Sequence, residues 1–400
     1  MDITIDKELK FSTFKKGDVV TKEDIEKELN RLKLLHTNTK NKNLSLKIIL
    51  NSVYGVIGFK KFIAYNRDVA QSVTKQSEDL IKFTIKIFNE FFRNWHTMTE
   101  IHEKMGMSRV DKYEQDVINY ADTDSVFLLL DSVMKTTDFS GSITDFALSL
   151  DKHVLADYVK NKLEEYVLGF NGFTTKKDGE PSLKLHMEQV NDSVLWVAKK
   201  MYIKNPVWDE GKILKPLEDL QIKGLEINKP SIPKYVRGKL RLLVEYIMDK
   251  KSALEINELL EKIGKIKDEF QTINILEICK GVRCNNMEKW IMKDTDELET
   301  IKDTPYHIKA AGYYNHLLHI NKFGKKYDRI KSTEKVQFYH IKEDPGYFAF
   351  PSNIFPAEFA PPIYLELQFE KVFLQPFNNI LEALDVPKLN PELLFFDSIW

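Results

Sequence analysis

Val117-Ile118-Asn119-Tyr120-Ala121-Asp122-Thr123-Asp124-Ser125-Val126-Phe127-Leu128-Leu129-Leu130 is the stretch that decides the fold. Two β-prone runs, 117–120 and 126–130, flank a short polar segment, and this strand–turn–strand pattern predicts a hairpin. Its tip carries two carboxylates two residues apart. A hard divalent cation such as Mg²⁺ takes oxygen ligands that converge in a short, stiff span. An Asp-x-Asp pair alone is in most proteins just a solvated turn, and here the apolar strands on both sides shift the reading toward a site braced by a sheet.

Upstream of the hairpin the pattern is helical. A run over 21–35 has Thr21 and Asp24 available to cap its start. Helix signals return over 46–58, and over 69–92 apolar residues recur at helical spacing (Val73, Leu80, Ile81, Phe83, Ile87, Phe88, Phe91). Downstream, 150–168 is helical and 185–203 mostly extended with an interruption near Asn191-Asp192-Ser193. Residues 206–218 suggest a loop with short strands. Beyond Pro230 long helices follow (234–248, 253–266), then shorter strands and Pro-rich loops after Lys331. The shift near 224–233 is the best domain boundary.

Size and composition set the outer bounds. The chain has 400 residues, 43% hydrophobic and 30% charged, which describes a globular chain of two or three domains rather than disorder, collagen or coiled coil. It contains no apolar run of about 18 residues, and the start lacks the pattern of a signal peptide, so no membrane association is expected and the chain should stay where it is made. Cys279 and Cys284 are too few for a disulfide framework or a zinc site and suggest buried or idle thiols in a reducing compartment. The net charge of −1 argues against a nucleic-acid partner until its distribution is considered. From Arg31 to Lys75 nine Lys or Arg stand against one acid, Asp68, a local +8. Further basic tracts run over 199–241 and 302–331.

Two more constellations carry chemistry. On a helix Lys47, Asn51 and Tyr54 fall at i, i+4 and i+7, so an ammonium, an amide and a phenol share one face while Ile48, Ile49 and Val53 turn elsewhere. An ammonium suits a polyphosphate, and Tyr54 beside Gly55 can pack against a flat base; an ordinary amphipathic helix would look the same. Lys199-Lys200-Met201-Tyr202 on a strand sets Lys200 and Tyr202 on one face, although strand lysines are commonly solvated edge charges.

In order and spacing, K-x3-N-S-x-Y-G, Y-A-D-T-D-S and K-K-M-Y together resemble the family B DNA polymerases: a fingers helix, a catalytic hairpin and a primer motif. Residues 223–233, 284–290 and 305–309 look similar to replicative polymerases of T-even-like bacteriophages. The resemblance runs from about residue 20 to the end. It implies an α+β fold: an antiparallel palm sheet with helices (76–225, holding the catalytic hairpin), partial helical fingers (1–75), and a mainly helical thumb (226–400). It implies that Lys47 and Asn51 face the incoming dNTP, with Lys47 on the triphosphate, and that Tyr54 and Gly55 lie against the nascent base pair. Arg31 would be a second phosphate-binding residue, although the usual R-x3-K spacing is missing, since Leu35 follows it at four. Asp124 would be the principal ligand of two Mg²⁺ ions and Asp122 its neighbour. Glu188 would stand near the active site, Lys200 and Tyr202 would hold the primer end, and Lys199 the duplex. His307 and Lys309 would touch the primer–template backbone in the thumb. His316 and His319, at i and i+3 beyond them, are expected to be helix-face residues.

Two departures from the family are small: Ala121 replaces the usual Gly and Met201 the usual Arg. One is large. The D-x2-S-L-Y-P segment that carries the other catalytic Asp, and the exonuclease before it, have no counterpart here. The expectation is therefore a split polymerase, or a truncated one, completed by an N-terminal polymerase/exonuclease polypeptide and acting in the cytoplasm, the host's if the source is viral. The apolar end, with Leu394, Phe395 and Phe396, resembles a clamp-binding peptide, so a sliding clamp is a further expected partner. Two other classes stay open. A non-catalytic DNA-binding or scaffold subunit of a replisome would explain the missing Asp. A glycosyltransferase would use Asp122-Thr123-Asp124 but leave the lysine helix unexplained.

Overall fold

The structure, a computed structural model, describes residues 3–4, 11–168 and 185–390. The chain divides into two compact units, Met1–Glu103 with Met107–Asp138, and Lys104–Gly106 with Phe139–Trp400. Helix and antiparallel sheet are mixed throughout, as an α+β chain requires. Among the described residues no helix is long and apolar enough to cross a membrane.

In the first unit β1 (Ile3–Thr4) pairs antiparallel with β2 (Val19–Val20), and α1 (Lys22–Ile57) follows. Thr21 and Asp24 form the expected cap reciprocally: the Asp24 N–H donates to Thr21 Oγ1 at 3.2 Å and the Thr21 N–H to Asp24 Oδ2 at 3.0 Å. Two separate helices are expected over 21–58, but one of 36 residues forms. The intervening His36–Asn43 stretch is polar and poor in helix formers, yet it contains no Pro or Gly, and such residues each cost only about 0.7 kcal/mol or less. The Thr37 and Ser45 hydroxyls donate to the carbonyls of Lys33 and Asn41, four residues back, and the helix runs on.

α1 turns back at 58–66 into α2 (Arg67–Arg93), whose N-terminus is capped by Asn66 Oδ1 accepting from the Val69 N–H at 3.0 Å. The apolar spacing of α2 becomes a buried face only in its C-terminal half. Ile87, Phe88, Phe91 and Phe92 are buried with Trp95, whereas Val73 is 46% exposed. After α3 (Thr99–Lys104), the predicted hairpin forms as β3 (Ile118–Asp122) and β4 (Ser125–Leu128). Asn89 Oδ1 accepts from the Val117 N–H at 2.9 Å, which fastens the hairpin to α2. The apolar run extends beyond β4, but Leu130 already begins a short helix, α4 (Leu130–Met134).

The second unit opens with α5 (Ile143–Leu150), continues through a π-helical stretch Asp151–Val159 and ends this helical run in α6 (Lys160–Leu168). Then β5 (Gln189–Ala198) and β6 (Met201–Asp209) form a long hairpin. β7 (Lys212–Ile213) and β8 (Gln221–Lys223) both pair with β6. The ladder shifts register between Asn191 and Ser193, where the interruption is expected, and Asn191 there faces Pro206, a residue that cannot donate to a ladder. α7 (Lys234–Lys250) and α8 (Ile256–Thr272) match the two long helices predicted. They are followed by β9 (Lys280–Arg283), the hairpin β10 (Ile291–Asp294) and β11 (Leu298–Thr300), α9 (Tyr306–Ile320), β12 (Lys335–His340) and β13 (Tyr347–Pro351). α10 (Leu365–Phe369) passes through a π-helical turn into α11 (Gln375–Ala383).

Two cores hold this unit. One packs Ile203 of β6 against α7, α8 and the α10–α11 run, with Leu240, Val244, Ile263, Phe373 and Phe377 fully buried. The other packs α9 on the sheet β13-β12-β9 through Tyr314, Tyr339, Phe348 and Phe350. Cys279 and Cys284 are buried separate thiols, each pushed up to about 12 chiefly by burial, consistent with inert structural residues.

Candidate functional site

The two carboxylates sit on a two-residue turn. Asp122 ends β3, Ser125 begins β4, and the two are paired across the ladder, which leaves Thr123 and Asp124 as the turn itself. Thr123 has φ +58, a left-handed conformation that a β-branched residue adopts at a cost of about 1–2 kcal/mol. The Asp124 N–H donates to the Asp122 carbonyl at 2.7 Å, and the Thr123 hydroxyl donates to Asp122 Oδ1 at 3.0 Å. Asp122 is half-buried and Asp124 exposed. Beneath them the Tyr120 and Phe127 rings meet edge to face at 5.6 Å. The turn is thus braced through its strands and Asn89 to the buried half of α2.

A pair of carboxylates on such a turn suits one side of a Mg²⁺ site, since that ion commonly takes one or two carboxylates and completes its shell with water and substrate phosphates. Among the described residues no group of three His, Cys, Asp or Glu side chains converges to hold a metal. The two carboxylates on this turn fit part of such a coordination shell.

Lys47, Asn51, Tyr54 and Gly55 lie on α1 of the same unit, and all are exposed. The Lys47 and Asn51 side chains make no hydrogen bond or ion pair among the described residues. The Tyr54 hydroxyl meets Thr74 Oγ1 of α2 at 2.6 Å, and because Thr74 already donates to the Ala70 carbonyl, Tyr54 is the donor. A Cβ at Gly55 would meet nothing within 4 Å. The apolar residues between these positions are uncovered too: Ile48, Ile49, Leu50 and Val53 are each at least half exposed.

Arg31 stands apart from this stripe. It is sixteen residues before Lys47 on the same helix, about 24 Å at 1.5 Å per residue, too far to share one triphosphate with it. Its guanidinium is engaged twice by Glu28, at 2.8 Å to each carboxylate oxygen, and by the Phe11 carbonyl at 2.6 Å. Glu28 also accepts from the Thr13 N–H at 2.7 Å and the Ser12 hydroxyl at 3.0 Å, and the Arg31 hydrogen bonds foremost hold its carboxyl far below the usual range. Arg31 pins residues 11–14 onto α1, a structural task the sequence reading missed.

In the second unit the lysine pair corrects its expected setting. Lys199 and Lys200 are the turn between β5 and β6, flanked by the pair Ala198 and Met201, not strand residues. Lys200 has φ +64, so alternation along a strand does not relate it to Tyr202. Beside this turn Gly224, at φ +71, approaches so closely that a Cβ there would lie 2.2 Å from the Lys200 carbonyl oxygen. The Gly224 requirement could not be found from sequence, because its cause is a carbonyl 24 positions earlier.

Tyr202 pairs with Lys223 of β8 and faces the Trp196 ring at 5.2 Å. Lys204, two positions on and sharing that face, has its ammonium pKa lowered by burial first and by Lys223 second, while Asp209 and Glu188 oppose the shift. Glu188 directly precedes β5, and its carbonyl accepts from the Glu210 N–H at 2.9 Å. Asp209 accepts from Gln189 and Gln221, which ties β5 and β8 to β6.

His307 and Lys309 belong to the first turns of α9. His307 Nδ1 is buried with no hydrogen-bond partner among the described residues, and burial lowers its pKa, which favours the neutral ring. His316 and His319 are helix-face residues as expected, at 2.6 Å from the Thr295 carbonyl and 3.6 Å from Asp296. Leu394, Phe395 and Phe396 lie outside the described residues.

Residues 19–344 match the family described as DNA polymerase family B. Among proteins of known function, the DNA polymerase catalytic subunit of elephantid herpesvirus 1 is 24% identical over 76% of this chain and 28% of its own length. DNA polymerase 1 of Aeropyrum pernix is 25% identical over 67% of this chain and 21% of its own. The Sulfolobus acidocaldarius DNA polymerase 1 is 24% identical over 76% and 26%. The chain thus spans about a quarter of the length of the curated relatives it matches.

Proposed function

The chain belongs to DNA polymerase family B, and from this premise we propose that it is the C-terminal fingers–palm–thumb part of a DNA-directed DNA polymerase. It would transfer a nucleotidyl group from a dNTP to a primer 3′-hydroxyl once an N-terminal polypeptide supplies the other catalytic Asp and the exonuclease. The observation that carries this reading is the Asp122–Asp124 turn, held in a left-handed conformation at Thr123 within a chain of that family. The uncovered Ile48, Ile49, Leu50 and Val53 of α1 also support it, as apolar surface that a completing polypeptide would bury.

In this reading the fingers are 1–75, the palm 76–225 and the thumb 226–400. Asp124 and Asp122 would hold Mg²⁺ jointly with the partner's carboxylate, and the two bound ions would neutralise charge on the triphosphate and its leaving group. Lys47 and Asn51 would orient the triphosphate from α1, with Tyr54 and Gly55 against the nascent pair. Lys199 and Lys200 would contact duplex and primer from the β5–β6 turn, with Tyr202 behind them and Glu188 near the site. Lys309 is the better backbone contact of the thumb pair, since a neutral, half-buried His307 has little to offer a phosphate. Arg31 leaves the nucleotide set because Glu28 and the Phe11 carbonyl occupy it. The tail with Leu394, Phe395 and Phe396 would dock on a sliding clamp, and with a phage as source the reaction would run in a host cytoplasm.

The test is primer extension after mixing with the N-terminal polypeptide. The chain alone should be inactive, the pair active, and Asp124→Ala in the pair inactive with duplex binding retained. Deletion of 393–400 should abolish clamp stimulation and spare distributive synthesis. A second reading is a non-catalytic DNA-binding subunit; duplex binding with no extension by any reconstituted pair would favour it.

A further inference from the structure

Among the described residues of the first unit, three buried side-chain nitrogens find no hydrogen-bond partner: Trp95 Nε1, His96 Nδ1 and His102 Nε2. They share one corner of the chain, where α2 ends, a 3₁₀ turn Trp95–Thr97 follows and α3 begins. Trp95 is fully buried and His102 is 6% exposed, and their rings meet edge to face at 4.8 Å. Trp95 packs in turn on Phe91 and Phe92, at 5.4 and 5.7 Å, in the buried half of α2. Backbone bonds close the corner. The His102 N–H donates to the Met98 carbonyl at 3.2 Å, and the His102 carbonyl accepts from the Met107 N–H at 2.9 Å.

The Trp95 carbonyl acts on the His102 ring as a hydrogen-bond acceptor. A carbonyl accepts only from an N–H, and Nε2 has no partner, so Nδ1 carries the proton and the neutral ring keeps a bare lone pair at buried Nε2. Protonation would make Nε2 a second donor, charged, buried and without an acceptor, which is a costly state. Burial accordingly is the main cause that lowers the ring's pKa from its ordinary 6.5; His96 lowers it further, and the Trp95 carbonyl opposes both. His96, from the 3₁₀ turn, is the titratable group that acts on the ring among the described residues, and no carboxylate there offsets it.

We propose that the corner of Trp95, His96 and His102 is a pH-sensitive joint, closed while His102 is neutral and opened when its ring takes a proton. Opening would loosen the buried half of α2, to which Asn89 fastens the Asp122–Asp124 hairpin through the Val117 N–H. The joint does not rest on the polymerase reading. Its sign follows from the direction of the shift: because closure depresses the ring's pKa, the joint is at full strength above pH 6.5 and weakens as pH falls through 6.5 toward the folded value.

The test is amide hydrogen exchange on the full chain from about pH 8 to about pH 5, read as protection relative to the intrinsic rate at each pH. The His102 and Met107 amides should lose protection by up to about tenfold for each pH unit below 6.5, and the Val117 amide with them, while α9 amides hold. In His102→Asn the side-chain amide can still donate to the Trp95 carbonyl but takes no proton, so the pH dependence should vanish. Protection at His102 and Met107 that does not change with pH overturns the joint, and so does a loss that persists in His102→Asn or is shared equally by α9. A His102 ring that titrates at or above 6.5 in the wild-type protein, followed by its imidazole proton resonances, overturns it without any variant. Loss at the corner with Val117 unmoved refutes the coupling to the hairpin.

Discussion

Gly224→Ala tests a close backbone approach in the second unit. A Cβ at this position would lie 2.2 Å from the Lys200 carbonyl oxygen and 3.0 Å from Met201 Cγ. The first contact is with backbone, so the β5–β6 turn must move by roughly 1 Å to reach ordinary packing distance, and overpacking of this kind costs about 1–3 kcal/mol. The left-handed φ of +71 adds about 1–2 kcal/mol for any residue with a Cβ. Restricting the unfolded chain returns about 0.4–1 kcal/mol. The expected net loss is about 1–4.6 kcal/mol, centred near 3. Gly211→Ala isolates the clash, because Gly211 shares the positive φ, at +89, but has nothing within 4 Å of its Cβ position. That variant should lose only about 1 kcal/mol or less. Urea unfolding followed by tryptophan fluorescence reads both, since Trp196 stands across the ladder from Tyr202, next to the turn. Displacing the turn also moves Lys199 and Lys200, so duplex affinity should fall in Gly224→Ala and hold in Gly211→Ala. Equal stability losses in the two variants would refute the close approach, and unchanged duplex affinity in a destabilised Gly224→Ala would separate the turn from DNA binding.

Gly264→Ala in α8 should act in the opposite sense, raising stability by about 0.8–1 kcal/mol in urea unfolding, because the helix interior has open space at that Cβ. Glu28→Gln should expose the tie between α1 and residues 11–14. Hydrogen bonds, first from Arg31 and then from the Thr13 N–H, depress the folded pKa of Glu28 below its ordinary 4.5, so its contribution is present above pH 4.5 and is lost as pH falls toward the folded value. The thermal midpoints of wild type and Glu28→Gln should accordingly differ at pH 7 and converge on acidification. A gap that widened in acid would reverse the sign of the linkage.

The α1 helix shows how far local sequence reaches. Its cap at Thr21 and Asp24 follows from four consecutive residues, and the strands either side of Asp122-Thr123-Asp124 follow from the β-prone runs that flank it. The continuity of α1 through 36–43 was not legible, because weak propensities sum below the cooperative gain of extending a helix already begun. Lys199 and Lys200 were misassigned to a strand for a related reason: alternation continues through both residues in sequence, and only the pairing of Ala198 with Met201 makes them a turn. Arg31 is a third case. Its spacing to Lys47 is readable as a number, but its engagement depends on Glu28 and the Phe11 carbonyl, twenty residues earlier.

By itself the sequence determined the Asp122–Asp124 hairpin, the long helices α7 and α8, the family, and the residue types available at each candidate site, since caps, periodicity and short motifs depend on near neighbours along the chain. Only the tertiary structure decided that Gly224 packs against the Lys200 turn, that Arg31 is occupied, and that His102 Nε2 finds no partner among the described residues. Each of these depends on which distant backbone or side-chain atoms come within a few ångströms, and local pattern does not encode that distance.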